Sequence, residues 1–323
     1  MANKLEKFAE VRHRQVATNG ITMHVAEQGD LSATPVLLLH GFPELWLSWW
    51  QQMAALAANG YRAIAPDLRG YGDTDVPADP TAYTIFHIVG DLIGLLDQLE
   101  LPRVFVVGHD WGATVAWYLC LFRPDRVRAL VNMGVPYFPR HPSVKPTDQF
   151  KVFGEGFYVT QFQEAGRAET SFAKYDVLTV LKKFYSIKID NLSAPPGMEI
   201  MDFLEAPASH LEWFPEDELQ YFAEKFHKNG FTGPLNYYRN MDMNWALIAP
   251  WQGAKIEVPT KFILGEKDMG YISFGTRTYI KVGGLKAIVP NLEVVTIDGH
   301  HFIHQEKAEE VTSEILSYFS NLN

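Results

Sequence analysis

Three side chains in this sequence could do chemistry together: an aspartate at a sharp turn, a second carboxylate far downstream, and a histidine further on. The first is Asp110, at the centre of Gly108-His109-Asp110-Trp111-Gly112. Val104 to Val107 before it read as a buried strand, and Ala113 to Cys120 after it as a buried helix that begins almost at once. Glycines two before and two after the central residue let a strand turn steeply into a helix, leaving that central side chain exposed on a strained backbone. Such an elbow usually presents serine. A carboxylate in its place is an anion at neutral pH and needs no base to attack, so what a carboxylate can attack decides the reaction. Downstream stand Asp268, ending Gly265-Glu266-Lys267-Asp268, and the pair His300-His301 between Gly299 and Phe302.

These residues need a scaffold that brings distant parts of the chain to one edge. The stretch FAEVRHRQVATNGITMHVAEQGD alternates through two arms about Asn19-Gly20, which predicts an antiparallel hairpin at the edge of a sheet. Apolar runs then recur at 36–40, 62–67, 104–108, 129–134, 260–265 and 292–298, and those up to Gly134 are separated by helical stretches. Short buried strands alternating with helices predict a parallel α/β sheet. From Val135 to Pro259 the strand rhythm disappears into an aromatic-rich, proline-broken, mostly helical stretch. The expected division is a core of residues 1–135 and 247–323 with a helical lid, 136–246, inserted in it. Ligands bind at the carboxyl ends of parallel strands, where His40, Asp67, Asp110, Asn132, Asp268 and His300-His301 all fall, so the lid is expected to roof the site there.

Composition removes other classes. The chain has 323 residues, nearly half of them apolar, and a formal charge of −10 with no lysine or arginine block, so no nucleic-acid partner is expected. No run approaches the ~18 apolar residues of a membrane span, and the charged N-terminus does not resemble a signal peptide. Cys120 is the single cysteine, so no intrachain disulfide is possible, and a packed thiol in a reducing, cytoplasmic compartment fits. Asp67, Asp73 and Asp75 read as turn and helix-capping residues. Gly154-Glu155-Gly156 is too short for a nucleotide fingerprint. His300, His301 and His304 lack the glutamate of a zinc-binding helix motif, so neither a metal nor a cofactor is expected. Trp46, Trp49 and Trp50 are spaced like one helical packing face, with Trp46 also placed to line the pocket.

The motifs HGFPE (40–44), RGYGDTD (69–75), GHDWG (108–112), GEKD (265–268) and GHHF (299–302) resemble those of the soluble epoxide hydrolases, most closely the plant type, over essentially the whole chain. The resemblance implies an α/β-hydrolase fold, a mostly parallel central sheet with an inserted helical lid. It implies Asp110 as nucleophile, His301 as base and Asp268 as its orienting acid. His301 is chosen over His300 because the family histidine directly precedes Phe, and Asp268 over Glu266 because the family acid ends the motif. It also implies a cis Phe42-Pro43 bond and a lid tyrosine pair, Tyr158 in FYVTQFQE and Tyr238 in LNYYRNM, with Tyr237 the neighbouring alternative.

The chemistry agrees with the resemblance. An oxirane has strained, electrophilic saturated carbons, which a carboxylate can displace from the back to give an ester on the enzyme. Water activated by neutral His301 can then add to the ester carbonyl, and the backbone N–H groups of Phe42 and Trp111 are placed to hold the oxyanion. The ring oxygen needs a donor from the opposite wall, and tyrosines, titrating near ~10, stay protonated at neutral pH. His40, Pro43 and Trp46 are expected against the substrate, and Phe153, Phe157, Phe184 and Phe203 suggest that it is apolar, by family likeness a fatty-acid or aryl epoxide. Diol formation then serves lipid-epoxide metabolism or detoxification, in a monomer or homodimer. A dehalogenase would share Asp110, His301 and Asp268, but its halide needs N–H donors. Trp111 is one candidate, and Phe42 stands where the second would be sought. A non-catalytic small-molecule receptor on the same fold has little reason to keep the three together, and an esterase would not replace serine by aspartate.

Overall fold

The computed structural model describes residues 8, 10–187, 192–207 and 211–322. Eight strands form one sheet: β1 (Arg12–Thr18), β2 (Ile21–Gln28), β3 (Thr34–Leu39), β4 (Tyr61–Pro66), β5 (Val104–His109), β6 (Val127–Met133), β7 (Thr260–Gly265) and β8 (Leu292–Ile297). Their order is β1-β2-β4-β3-β5-β6-β7-β8. β1 pairs with β2, and β2 with β4, antiparallel, whereas every pairing from β4 to β8 is parallel. The hairpin turns at Asn19 and Gly20, both at positive φ; β1, at the edge of the sheet, is exposed except at Val16 and Thr18, whereas β2, paired on both sides, is buried at every position but Thr22. β3, β4, β5 and β7 are likewise buried along most or all of their length, as strands covered by helices on both sides must be.

The covering helices are α1 (Trp50–Ala58), α2 (Ile85–Gln98), α3 (Trp111–Phe122) and a C-terminal helix, Ala308–Ser320. α3 is buried on nearly every side, and Cys120 packs there as a free thiol. Its first turn runs so close to the end of β3 that a Cβ on Gly112 would stand 2.0 Å from the Leu39 carbonyl oxygen. Between β6 and β7 the chain is mainly helical, with its longest helices at Val177–Tyr185, Glu216–Asn229 and Thr232–Arg239. Among the described residues no helix is long and apolar enough to cross a membrane.

Asp67, read from sequence as a turn or capping residue of its own segment, is a buried carboxylate that joins distant segments. It accepts from Trp46 N at 2.9 Å and Asp73 N at 3.1 Å and lies 2.7 Å from His24 Nδ1. Asp73 pairs with Lys225 and Asp75 accepts from Thr22 N, so neither caps a helix of its own. Burial of the end of β4 under the hairpin explains the difference: a carboxylate enclosed there needs donors from every neighbour.

Candidate active site

The elbow follows from three contacts. Asp110 has φ 52° and ψ −118°, a region costly for a residue with a side chain and held only where its surroundings enforce it. Gly108 and Gly112 permit the approach of strand, helix and β3: a Cβ on Gly108 would meet Asn132 Oδ1 at 2.5 Å. Asn132 Nδ2 donates to Ala113 O at 2.9 Å, tying the first turn of α3 to β6. The Asp110 side chain thus projects over the sheet at the N-terminus of α3, where unpaired amides favour negative charge.

Phe42 N donates to Asp110 Oδ1 at 2.8 Å, and the Phe42–Pro43 peptide is cis. The Trp111 amide is the first of α3 and so has no acceptor within the helix. Across from Oδ1, His301 Nε2 stands 3.6 Å from Asp110 Oδ2. His301 Nδ1 lies 2.9 Å from Asp268 Oδ2, and Asp268 Oδ1 accepts from Gly270 N at 2.7 Å. Three segments that share no local sequence pattern therefore meet in one line of hydrogen-bonding atoms. His300 turns away, its Nδ1 2.9 Å from Glu306 Oε1, and Glu266 is exposed.

Electrostatics couple the three groups. Burial opposes charge on Asp110, but His301 beside it holds the carboxyl below its ordinary value. Burial likewise opposes charge on His301, and the carboxylates of Asp268 and Asp110 outweigh it, raising the imidazole well above its ordinary value.

Two tyrosines face this group from the helical segment. Tyr158 begins the helix Tyr158–Gln163, Tyr238 lies in Thr232–Arg239, and their ring centroids are 6.0 Å apart. The helices are stitched together where they carry these residues: Gln163 Nε2 donates to Tyr238 O at 3.1 Å and Arg239 Nε to Phe162 O at 3.1 Å. Burial first, then the nearby Asp110 charge, pushes both phenols up, so each keeps its proton. The Tyr238 ring stands edge-on to the Trp111 indole, with ring centroids 5.0 Å apart. Tyr237 instead donates to Arg69 O at 2.8 Å, behind the site.

Asp110, Tyr158, Tyr238, Asp268 and His301 line one cavity of about 540 Å³, with Phe42, Trp111, Phe153, Phe157 and Phe184 on its walls, a size within the range of small-molecule sites. Of His40, Pro43 and Trp46, expected against the substrate, only Pro43 reaches that wall. His40 is fully buried beneath it, its Nδ1 donating to Gly41 O at 3.0 Å and its Nε2 accepting from Leu68 N at 2.9 Å. Trp46 faces the hairpin, against Phe8, His13 and His24, and its indole donates to Tyr221 Oη at 3.0 Å. Phe203 packs within the helical segment and lies off the cavity wall. Both indole and imidazole polar atoms find partners only by pointing away from the apolar space.

Glu44 is the residue that sequence reasoning overlooked. Fully buried, it accepts from Gly41 N at 2.7 Å, its Oε2 lies 2.8 Å from His109 Nδ1, and its Oε1 lies 2.9 Å from His304 Nε2. His109 Nε2 lies in turn 2.9 Å from the His301 carbonyl oxygen. The carboxylate thus joins the loop bearing Phe42, the elbow and the loop bearing His301. Its place inside the HGFPE motif, one residue past two others at the site, was the available signal. Glu44, His109 and His304 also bring one potential metal-ligand atom each within 4.8 Å of one another; both His109 nitrogens are already bonded, whereas Glu44 Oε1 and the two His304 nitrogens are buried without a hydrogen-bond partner among the described residues.

Residues 34–308 match the family model of the α/β hydrolase fold. Epoxide hydrolase 2 of Siraitia grosvenorii is 52% identical over 312 residues, covering 96% of this chain and 98% of that protein. Among solved structures, an epoxide hydrolase from Vigna radiata superposes with a TM-score of 0.93 at 45% identity, covering 99% of both chains. Potato (Solanum tuberosum) epoxide hydrolase I gives 0.92 at 45% identity, covering 96% of this chain and 99% of that one. The chain belongs to the α/β-hydrolase-fold family and, within it, to the epoxide hydrolases.

Proposed function

We propose that this enzyme adds water to an apolar epoxide, giving a vicinal diol through an ester on Asp110. The observation that carries the mechanism is the placement of Asp110 between an N–H donor and an imidazole, with two tyrosine hydroxyls on the same apolar cavity. Oδ2 attacks one ring carbon from the back; the C–O bond breaks toward Tyr158 and Tyr238, which donate to the leaving oxygen. His301, freed of its proton, then takes one from water as the oxygen adds to the ester carbonyl. The oxyanion forms at Oδ1 against the amides of Phe42 and Trp111; its collapse breaks the Cγ–Oδ2 bond while His301 returns its proton to the departing oxygen of the diol, and the new Asp110 carboxyl gives its remaining proton back to the tyrosine pair. Residues 136–246 act as the lid on a core of 1–135 and 247–323. The site is complete within one chain, so monomer and homodimer serve equally, and the lone buried thiol suits a reducing cytoplasm.

Dehalogenation is disfavoured because Phe42 stands where a halide's second N–H donor would be needed, and the wall facing Asp110 offers two phenolic hydroxyls instead. Trans-stilbene oxide in heavy-oxygen water tests the reading. In a single turnover the diol should carry no label and Asp110 should acquire it; label in the first-turnover diol would mean direct attack by water.

A pH dependence follows from the charges around His301. Asp268 and Asp110 raise its pKa in the free enzyme, and esterification removes the Asp110 charge, so the imidazole becomes easier to deprotonate once the ester exists. Hydrolysis requires the neutral ring and should therefore fall as pH drops through the pKa of the intermediate, while alkylation, which uses a carboxylate held below its usual range, persists further into acid. Stopped-flow tryptophan fluorescence should show the ester accumulating as pH is lowered. A constant ratio of the two rates from neutral to acid pH would contradict this account.

A further inference from the structure

Resting on the proposed epoxide hydrolysis, we propose that the cavity carries a carboxylate-recognition subsite at Arg140, so that the preferred substrates are epoxides bearing a remote carboxylate, as an epoxidised fatty acid does. Among the described residues that line the cavity, Arg140 is the one permanently charged cation, and the acidic ones are Asp110 and Asp268, both engaged with His301. No carboxylate among the described residues lies within ion-pair distance of Arg140, in a chain whose acids outnumber its bases by ten. A guanidinium left without an acidic partner in so acidic a protein is a place for an anion that arrives with the ligand.

The side chain is held ready. Nε donates to Trp245 O at 2.8 Å, Nη1 donates to Gln252 Oε1 at 2.7 Å, and the guanidinium lies 4.2 Å from the centroid of the Trp245 ring. Those contacts fix the plane of the fork and leave Nη2 as the donor still available. The neighbouring His141 accepts from Val144 N at 2.9 Å through Nδ1, which places the ring proton on Nε2 as a second donor on the cavity wall. The subsite lies on the solvent side: Phe138, two residues away, also lines the cavity and is 48% exposed. Between the two ends the wall is aromatic and aliphatic, the surface an alkyl chain would cover.

The test compares an epoxidised long-chain fatty acid, its methyl ester and trans-stilbene oxide in wild type, Arg140→Gln and Arg140→Lys. Wild type should prefer the acid over the ester in kcat/KM, and Arg140→Gln should reduce that preference about tenfold, the scale of one charge-assisted hydrogen bond. The change should lie in KM, with kcat nearly preserved, because the contact is remote from the ring. Arg140→Lys should restore part of the preference. The acid-to-ester ratio separates recognition from scaffolding, since loosening the Trp245 and Gln252 contacts would weaken all three substrates together. Equal treatment of acid and ester by wild type, or an unchanged ratio in Arg140→Gln, would overturn the subsite while leaving epoxide hydrolysis standing. Failure of wild type to open any of the three rings would overturn both.

Discussion

His301→Gln should trap the reaction halfway, so that intact-mass measurement after exposure to trans-stilbene oxide finds a protein heavier by one whole substrate. Ring opening by Asp110 adds every atom of the epoxide and releases nothing, and it needs no base. Glutamine keeps a polar side chain near Asp110 but cannot take a proton from water, so the second step should slow about 10²–10⁴-fold while the first continues. The Phe42 amide still holds Oδ1 in the variant, which preserves the nucleophile's orientation. His300→Gln should turn over with little adduct, because His300 is bound to Glu306 and faces away from Asp110. Diol release at the wild-type rate by His301→Gln would refute the assignment, and trapping by His300→Gln would move the base to its neighbour.

The double replacement of Tyr158 and Tyr238 by Phe should nearly abolish alkylation, whereas each single replacement should slow it tens to hundreds-fold. One preorganised donor is worth about 10²–10³ in rate, and a remaining partner compensates in part, so the two losses should not add simply. Pre-steady-state fluorescence should show ester hydrolysis much less affected, since that step draws on His301, Asp268 and backbone amides. Wild-type alkylation by the double variant would return the lid acids to the status of packing residues.

What was legible in the sequence follows from how local the signal is. Apolar runs marked the strands to within about two residues because a parallel strand covered on both faces is apolar at nearly every position, the edge strand β8 being the exception. The elbow was legible because its glycines and its nucleophile lie within five residues of chain. Asp67 was misread because its partners, His24, Trp46 and Asp73, come from three other segments. His40 and Trp46 lie in or beside a motif that touches the site, yet the direction of each side chain is set by Leu68 and Tyr221, which no spacing within the motif reveals. Glu44 stayed hidden for the same reason: a buried carboxylate shows its role only once His109 and His304 are folded around it.

The hydrogen bond from Phe42 makes the two oxygens of one carboxylate different atoms. Oδ1 is pinned at 2.8 Å by an amide, and Oδ2 faces His301. In the proposed mechanism the ester forms through Oδ2, which departs with the diol, and the water that replaces it enters from the histidine side. As long as the pinning contact outlasts a turnover, the carboxylate does not rotate. Asp110 then keeps one oxygen from its biosynthesis and renews the other at each cycle, so a side chain that is symmetric in solution carries an atomic memory of which face did the work.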